Sequence, residues 1–319
     1  MATNWTSAAG AVEGVLQYLG LPLPRYAIMG LTGHAWHLCL GSREGVVALP
    51  SGPADLDWEP MAQRYARTGV RWERFGGEFP GGEQGEAIRR AAVEWAIERL
   101  DAGRPLVGWD FHLHEFAVVY DYDRAQEAFF VDSVLTQEVG PIAHWRDWPT
   151  RATGRIELLA PKETFEPDPM ETVVKALETA LEFFAGGGGD DSQPRGTGAL
   201  DAWADAFEGS TEVDRAGNAY TLAVLQAARL DGADFLASLA ENLPPLEEPL
   251  RAAERAIRDE TKTLAPLLTL FPFPTGGHGN VQHPGLREAA ATALRKAAGH
   301  ERAAATRIEE ALSGLQAID

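Results

Sequence analysis

The stretch EFAVVYDYDRAQEAFFVDSV, residues 115–134, carries the clearest strand signal in the chain. Two runs rich in β-branched and aromatic residues, 116–120 and 128–134, flank the polar loop DYDRAQE, so the stretch predicts an antiparallel hairpin. Upstream, the apolar positions Ile88, Ala92, Trp95 and Ile97 recur at helical spacing over residues 86–100. DAGRP stops that helix before a further strand beginning at LVGWDF. At the start of the chain, NWTSAAGAVEGVLQYLG (4–20) places Val12, Val15, Leu16 and Leu19 on one helical face, and Gly20 with the prolines of LPLP ends the helix. EGVVALP reads as a short strand. Residues 52–85, dense in Gly, Pro and Trp, read as irregular surface structure with a short helical piece over 58–68.

After Pro161 the texture changes to Ala, Leu and Glu in helical spacing, and strands are expected to vanish. The expected class is therefore α/β (α+β): a domain with an antiparallel sheet over residues 1–160, followed by an all-α domain over 161–319 with its boundary in PKETFEPDP. GGGGDDSQPRGTG (186–198) is expected to be a mobile loop between two helices of one bundle, open to proteolytic nicking.

Composition narrows the function classes. A hydrophobic fraction of 45% with 24% charged residues is that of a folded globular protein. A net charge of -19, with 28 Lys and Arg scattered along the chain, argues against nucleic acid as a partner. The first 21 residues lack the basic and apolar regions of a signal peptide, and no apolar run approaches the roughly 20 residues of a membrane helix. The lone Cys39, inside HLCL, reads as a buried inert thiol, and the expected compartment is the cytoplasm.

Cysteine-type acyl chemistry needs a nucleophile at a helix N-terminus, an imidazole on a distant strand and an acid to orient it. On these three positions the chain resembles the papain-like fold, in its C39-peptidase-like group and more narrowly the butirosin-biosynthesis acyltransferase H N-terminal type. In that group a Cys lies thirteen residues before the Gly closing a VLxYxG helix, and counting back from Gly20 in VLQYLG reaches Ser7. The group's His precedes an aromatic-Val-Val strand that ends in GYD. In EFAVVYDYD that place is held by Glu115, with Phe116, Val118 and Tyr122 matching. The Asp of a following Asp-Pro pair corresponds to Asp132, with Ser133 in place of the proline, and no Gln precedes Ser7 to complete an oxyanion hole. The resemblance spans residues 4–135 by motif. It implies a papain-like N-terminal domain whose catalytic positions are Ser7, Glu115 and Asp132, with the Cys and His replaced.

Each position also has a plainer reading. Ser7 sits where helices take Ser and Thr as caps. A strand-borne Glu is commonly a solvated charge, although Glu115 is hemmed by Leu113, Phe116, Ala117 and Val118 and needs a partner if buried. His112 and His114 in HLHE alternate onto one strand face without a third ligand at a defined spacing, since His34 and His37 lie far away; no metal and no cofactor is expected. His114 is also the imidazole nearest to the catalytic frame, one residue out of register. GLTGHAW (30–36) resembles a glycine-bounded loop of the same group, which makes Gly33, His34 and Trp36, together with Trp5 and His114, the candidate ligand contacts; core packing is the alternative for the tryptophans.

A serine hydroxyl has almost no anionic fraction near neutral pH, and a glutamate cannot form the imidazolium that carries a proton to a leaving group. The expectation is a catalytically degenerate papain-like protein that binds a small or peptidyl ligand in the inherited cleft. Its alternatives are an acyltransferase or amide hydrolase with Ser7 as nucleophile, and a structural or interaction module acting through the helical domain. The sequence leaves the oligomeric state open.

Overall fold

The computed structural model describes residues 6–51, 56–150, 154–188, 192–274 and 280–316. In chain order these form α1 (Ser7–Tyr18), α2 (Arg25–Thr32), β1 (Gly41–Arg43), β2 (Val46–Leu49), α3 (Trp58–Arg64), β3 (Val70–Glu78) and α4 (Gly82–Asp101). Next come β4 (Leu106–Trp109), β5 (Phe116–Asp123), β6 (Ala128–Asp132), α5 (Thr136–Val139), β7 (Ile142–His144) and β8 (Arg155–Thr164). The remainder is α6 (Pro169–Phe184), α7 (Gly196–Glu208), β9 (Glu212–Val213), α8 (Arg215–Asn242), α9 (Glu247–Leu270) and α10 (Pro284–Gln316). Among the described residues no helix is long and apolar enough to cross a membrane.

Two compact units result. The first is Met1–Ile28 with Trp58–Pro167, and the second is Met29–Asp57 with Asp168–Asp319. The first unit holds a six-stranded antiparallel sheet in the order β3-β8-β4-β5-β6-β7. Its centre is the hairpin expected from residues 115–134, with Val118 opposite Asp132 and Asp123 opposite Ala128. Alternation along β5 sorts its side chains between two faces. Ala117 and Val119 join Val93, Ala96 and Ile97 of α4 in one core with Phe129, Ile156 and Leu158. Residues 116 and 118 therefore face the other way, and α1 packs on β4 and β5 through its buried Val12, Val15 and Leu16.

Two expectations are corrected in this unit. The Gly-rich stretch 52–85 was expected to be irregular, yet Val70–Glu78 is a nine-residue edge strand paired along its length with β8. Cross-strand pairing decides this strand, because its neighbour supplies the hydrogen bonds and packing that local propensity does not signal. Strand structure also extends past Pro161: β8 runs to Thr164 in this unit, and the short β9 lies at Glu212–Val213 in the second.

The second unit is mostly helical, with a small sheet ordered β1-β2-β9. Residues 29–57, expected in the sheet domain, group with the helices for a packing reason. A Cβ at Gly30 would lie 2.1 Å from the Phe235 ring of α8, and one at Gly232 would lie 2.6 Å from Trp36, so glycine permits close approach on both sides. Trp36 is fully buried and tilts against Phe184 with ring centroids 5.6 Å apart. The loop expected to be nicked includes residues 189–191, which lie outside the described residues. C-terminal to them it is pinned within the unit: Leu40 N–H donates to the Pro194 carbonyl and Gly196 N–H to that of Leu38, and Gln193 bonds Ser42.

Candidate functional site

Helix α1 starts without a side-chain cap: Thr6 stands at the N-cap with extended backbone and makes no capping bond. Ser7, the first helical residue, does not cap its own helix either. Its hydroxyl donates to Glu115 Oε2 at 2.5 Å and accepts the Phe116 backbone N–H at 3.0 Å. Both hydrogen-bonding roles of the hydroxyl are thus filled by residues more than a hundred positions away, with only 6% of Ser7 exposed.

Glu115 ends the loop 110–115 between β4 and β5, and the loop is tied at both ends. Asp110 N–H donates to the Glu115 carbonyl at 3.0 Å, and Glu115 N–H to that of Leu113 at 2.6 Å. Asp110 adopts a φ of 70°, a left-handed conformation that Asp tolerates better than most residues. Its fully buried carboxylate accepts from Thr150 N–H at 2.7 Å and from the Thr150 hydroxyl at 2.6 Å. Alongside, Trp148 Nε1 donates to the Trp109 carbonyl and Arg89 Nε to that of Trp148. The position of Glu115 therefore rests on Asp110 and Thr150, which the sequence reading did not single out. Asp110 had a visible signal, an aspartate at a strand end just before a hairpin loop; Thr150 had none.

Burial pushes the Glu115 carboxyl above the usual glutamate range, while the Ser7 hydroxyl and the charge of His114 pull the other way. Phe116 beside it is flanked by Trp58 and Trp109, at centroid distances of 4.4 and 4.9 Å.

Asp132 lies further along the ladder. It pairs with Val118, three residues into the strand from Glu115, a spacing of about 10 Å. There it lines a cleft of about 630 Å³ together with Gly14 and Tyr18 of α1, Arg104, Val118 and Tyr120. Positions 7, 14 and 18 fall within about 40° of one another around a helix of 3.6 residues per turn, so Ser7 and the cleft share one face of α1. Arg104 is already engaged at the cleft wall, donating to Glu73 Oε1 at 2.5 Å, while Arg99 reaches Glu73 Oε2 at 3.0 Å. Although burial works against it, these two guanidinium groups hold Glu73 below the usual carboxylate range.

The other sequence candidates are dispersed. His114 is largely exposed, with Nε2 3.4 Å from the Thr150 hydroxyl and 3.9 Å from Asp110 Oδ1. His112 turns to the Ile142 carbonyl at 3.1 Å, and among the described residues no group of three or more His, Cys, Asp or Glu is placed to hold a metal ion. Trp5 lies outside the described residues. Gly33, His34 and Trp36 belong to the second unit. Gly33 has a φ of 84° and packs where a Cβ would meet Thr179 at 2.5 Å, and His34 and Trp36 are fully buried. Cys39 is a buried free thiol. No family model matches the chain, and no curated protein matches it.

Proposed function

We propose that the first unit is a catalytically degenerate papain-like domain that binds a small or peptidyl ligand in the cleft beside α1. The observation that carries this reading is the double engagement of the Ser7 hydroxyl, a donor to Glu115 and an acceptor from Phe116 N–H, in a nearly buried setting. In the papain-like frame these two residues occupy the nucleophile and base positions, and the pair closes on itself. Attack on a carbonyl carbon would rely on the one oxygen lone pair that the Phe116 N–H leaves free, and on Glu115 to shuttle a proton without an imidazole. The cleft has the size of ordinary small-molecule sites, apolar walls such as Val118, and the polar groups of Tyr18, Tyr120 and Asp132 to orient a ligand.

One observation favours acyl transfer or amide hydrolysis as the second reading. A serine 2.5 Å from a carboxylate at the start of a helix is nucleophile–base geometry, and burial raises Glu115 towards the basicity of a general base. Treating the full chain with a fluorophosphonate probe separates the two. The binding reading predicts no labelling at Ser7, together with a rise in melting temperature for at least one member of a panel of small amides and short peptides, reduced in Tyr18→Ala. Covalent label that disappears in Ser7→Ala overturns it in favour of the serine acyl-transfer enzyme.

A further inference from the structure

In the second unit, three ionisable side chains meet with no exposed surface: Arg229 of α8, Glu260 of α9 and Glu301 of α10. Glu301 is fully served. Its Oε1 accepts from Arg229 Nε at 2.9 Å and also from Arg229 Nη2, and its Oε2 accepts from the Thr197 hydroxyl of α7 at 2.9 Å. Arg229 spends Nη1 on the Ala35 carbonyl at 2.5 Å and lies over the Phe184 ring of α6, 5.6 Å from its centroid. Glu260 is in a different position. Its Oε1 lies 3.5 Å from Arg229 Nε, whose single hydrogen already points to Glu301, and neither carboxyl oxygen of Glu260 has a hydrogen-bond partner.

A second carboxylate here would leave the core with two negative charges facing one guanidinium, and burying an unpaired ionised carboxylate is so costly that such a group takes up a proton instead. Protonation also turns Glu260 into a donor for the neighbouring Glu301. The remaining charged groups nearby do not change this balance. Asp231 is two residues from Arg229 and hence on the opposite side of α8. Asp259 pairs with Lys262 at 2.8 Å on the outer face of α9, and His300 of α10 sits 3.4 Å from the Thr263 hydroxyl.

We propose that the helical unit has a proton-gated core, in which Glu260 holds a proton beside the Arg229–Glu301 ion pair and loss of that proton loosens α9 from α8 and α10. Burial first, and the charge of Glu301 second, push Glu260 well above the usual glutamate range, with Arg229 opposing. The sign follows from linkage. A carboxyl whose folded-state pKa exceeds its unfolded value binds more protons when folded. Stability is therefore lost as pH rises from the ordinary glutamate range, near 4.5, up through the folded-state pKa, and the penalty is complete above it.

The test compares melting temperature against pH for the full chain and for Glu260→Gln, which mimics the neutral acid in shape. The wild type is expected to lose several degrees more than the variant between about pH 6 and about pH 9. At the upper end the variant is expected to match or exceed the wild type. Parallel profiles, with the variant less stable throughout, would show an ionised Glu260 and overturn the proposal. Should Glu260→Gln fail to fold, infrared spectroscopy of the wild type decides: a buried protonated carboxyl band at neutral pH that fades with added base supports the protonated Glu260, and its absence refutes it.

Discussion

Two polar clusters, one in each unit, tie a carboxylate to distant parts of the chain, and they differ in what they leave available. Ser7 and Glu115 meet at the end of a loop, on the face of α1 that two turns further on lines a cleft, with Glu115 only part-buried. Arg229, Glu260 and Glu301 meet in the centre of a helix bundle with no exposed surface at all. A pair with one part-exposed member, on the helix face that leads to a cavity, can respond to a ligand. A fully buried triad responds only to protons and to unfolding, because nothing larger reaches it without opening the helices. The same residue types thus define a candidate site in one place and a structural element in the other, and surroundings decide which.

The sharpest way to break this contrast is Arg229→Met. Removing the guanidinium leaves Glu301 buried without its counter-charge, and the expected loss is about 3–5 kcal/mol in urea unfolding of the full chain. A loss below about 1 kcal/mol would show that the bundle does not depend on the triad. Next in size is Ser7→Ala, which strips a partner from both the Glu115 carboxylate and the Phe116 N–H. The expected cost is about 1–3 kcal/mol, and an unchanged unfolding midpoint would mean that water replaces the hydroxyl freely.

The smallest expected effect is also the most specific to the site. Ser7→Cys puts a thiol beside Glu115, whose negative charge disfavours thiolate. Adding Glu115→His replaces that charge with an imidazole, and the thiol pKa should fall by at least about one unit. The pH dependence of iodoacetamide alkylation reads this directly, and superimposable profiles for the single and double variants would show that the two side chains are not neighbours in solution.

Much of the first unit was legible in the sequence. The run 115–134 announced its hairpin because alternating β-branched and aromatic residues around a polar loop are a local signal, and the helix at the start of the chain declared itself by the spacing of Val12, Val15 and Leu16. Strand β3 was hidden, since a run with three glycines flanking it or within it gains its order from β8 across the sheet. The glycine-bounded segment 30–36 was read as a loop of tight backbone; its first three residues instead close α2, which ends at Thr32. Only packing shows that its tightness serves the helices, through Gly30 against Phe235 and Trp36 against Gly232.

The triad was beyond reach of any local pattern, because Arg229, Glu260 and Glu301 read as ordinary charged positions on three amphipathic helices. By itself the sequence determined the hairpin, the helical texture of the second half, and the three residues to compare at the start of α1 and along β5 and β6. Tertiary structure alone decided that Ser7 and Glu115 touch while Asp132 stands apart at the cleft, that Asp110 and Thr150 hold the loop between them, and that a carboxyl pair lies in the bundle core. The physical reason is that periodicity and turn chemistry act over a few residues, whereas hydrogen bonding and burial depend on which distant segments the folded chain brings within about 3 Å of each other.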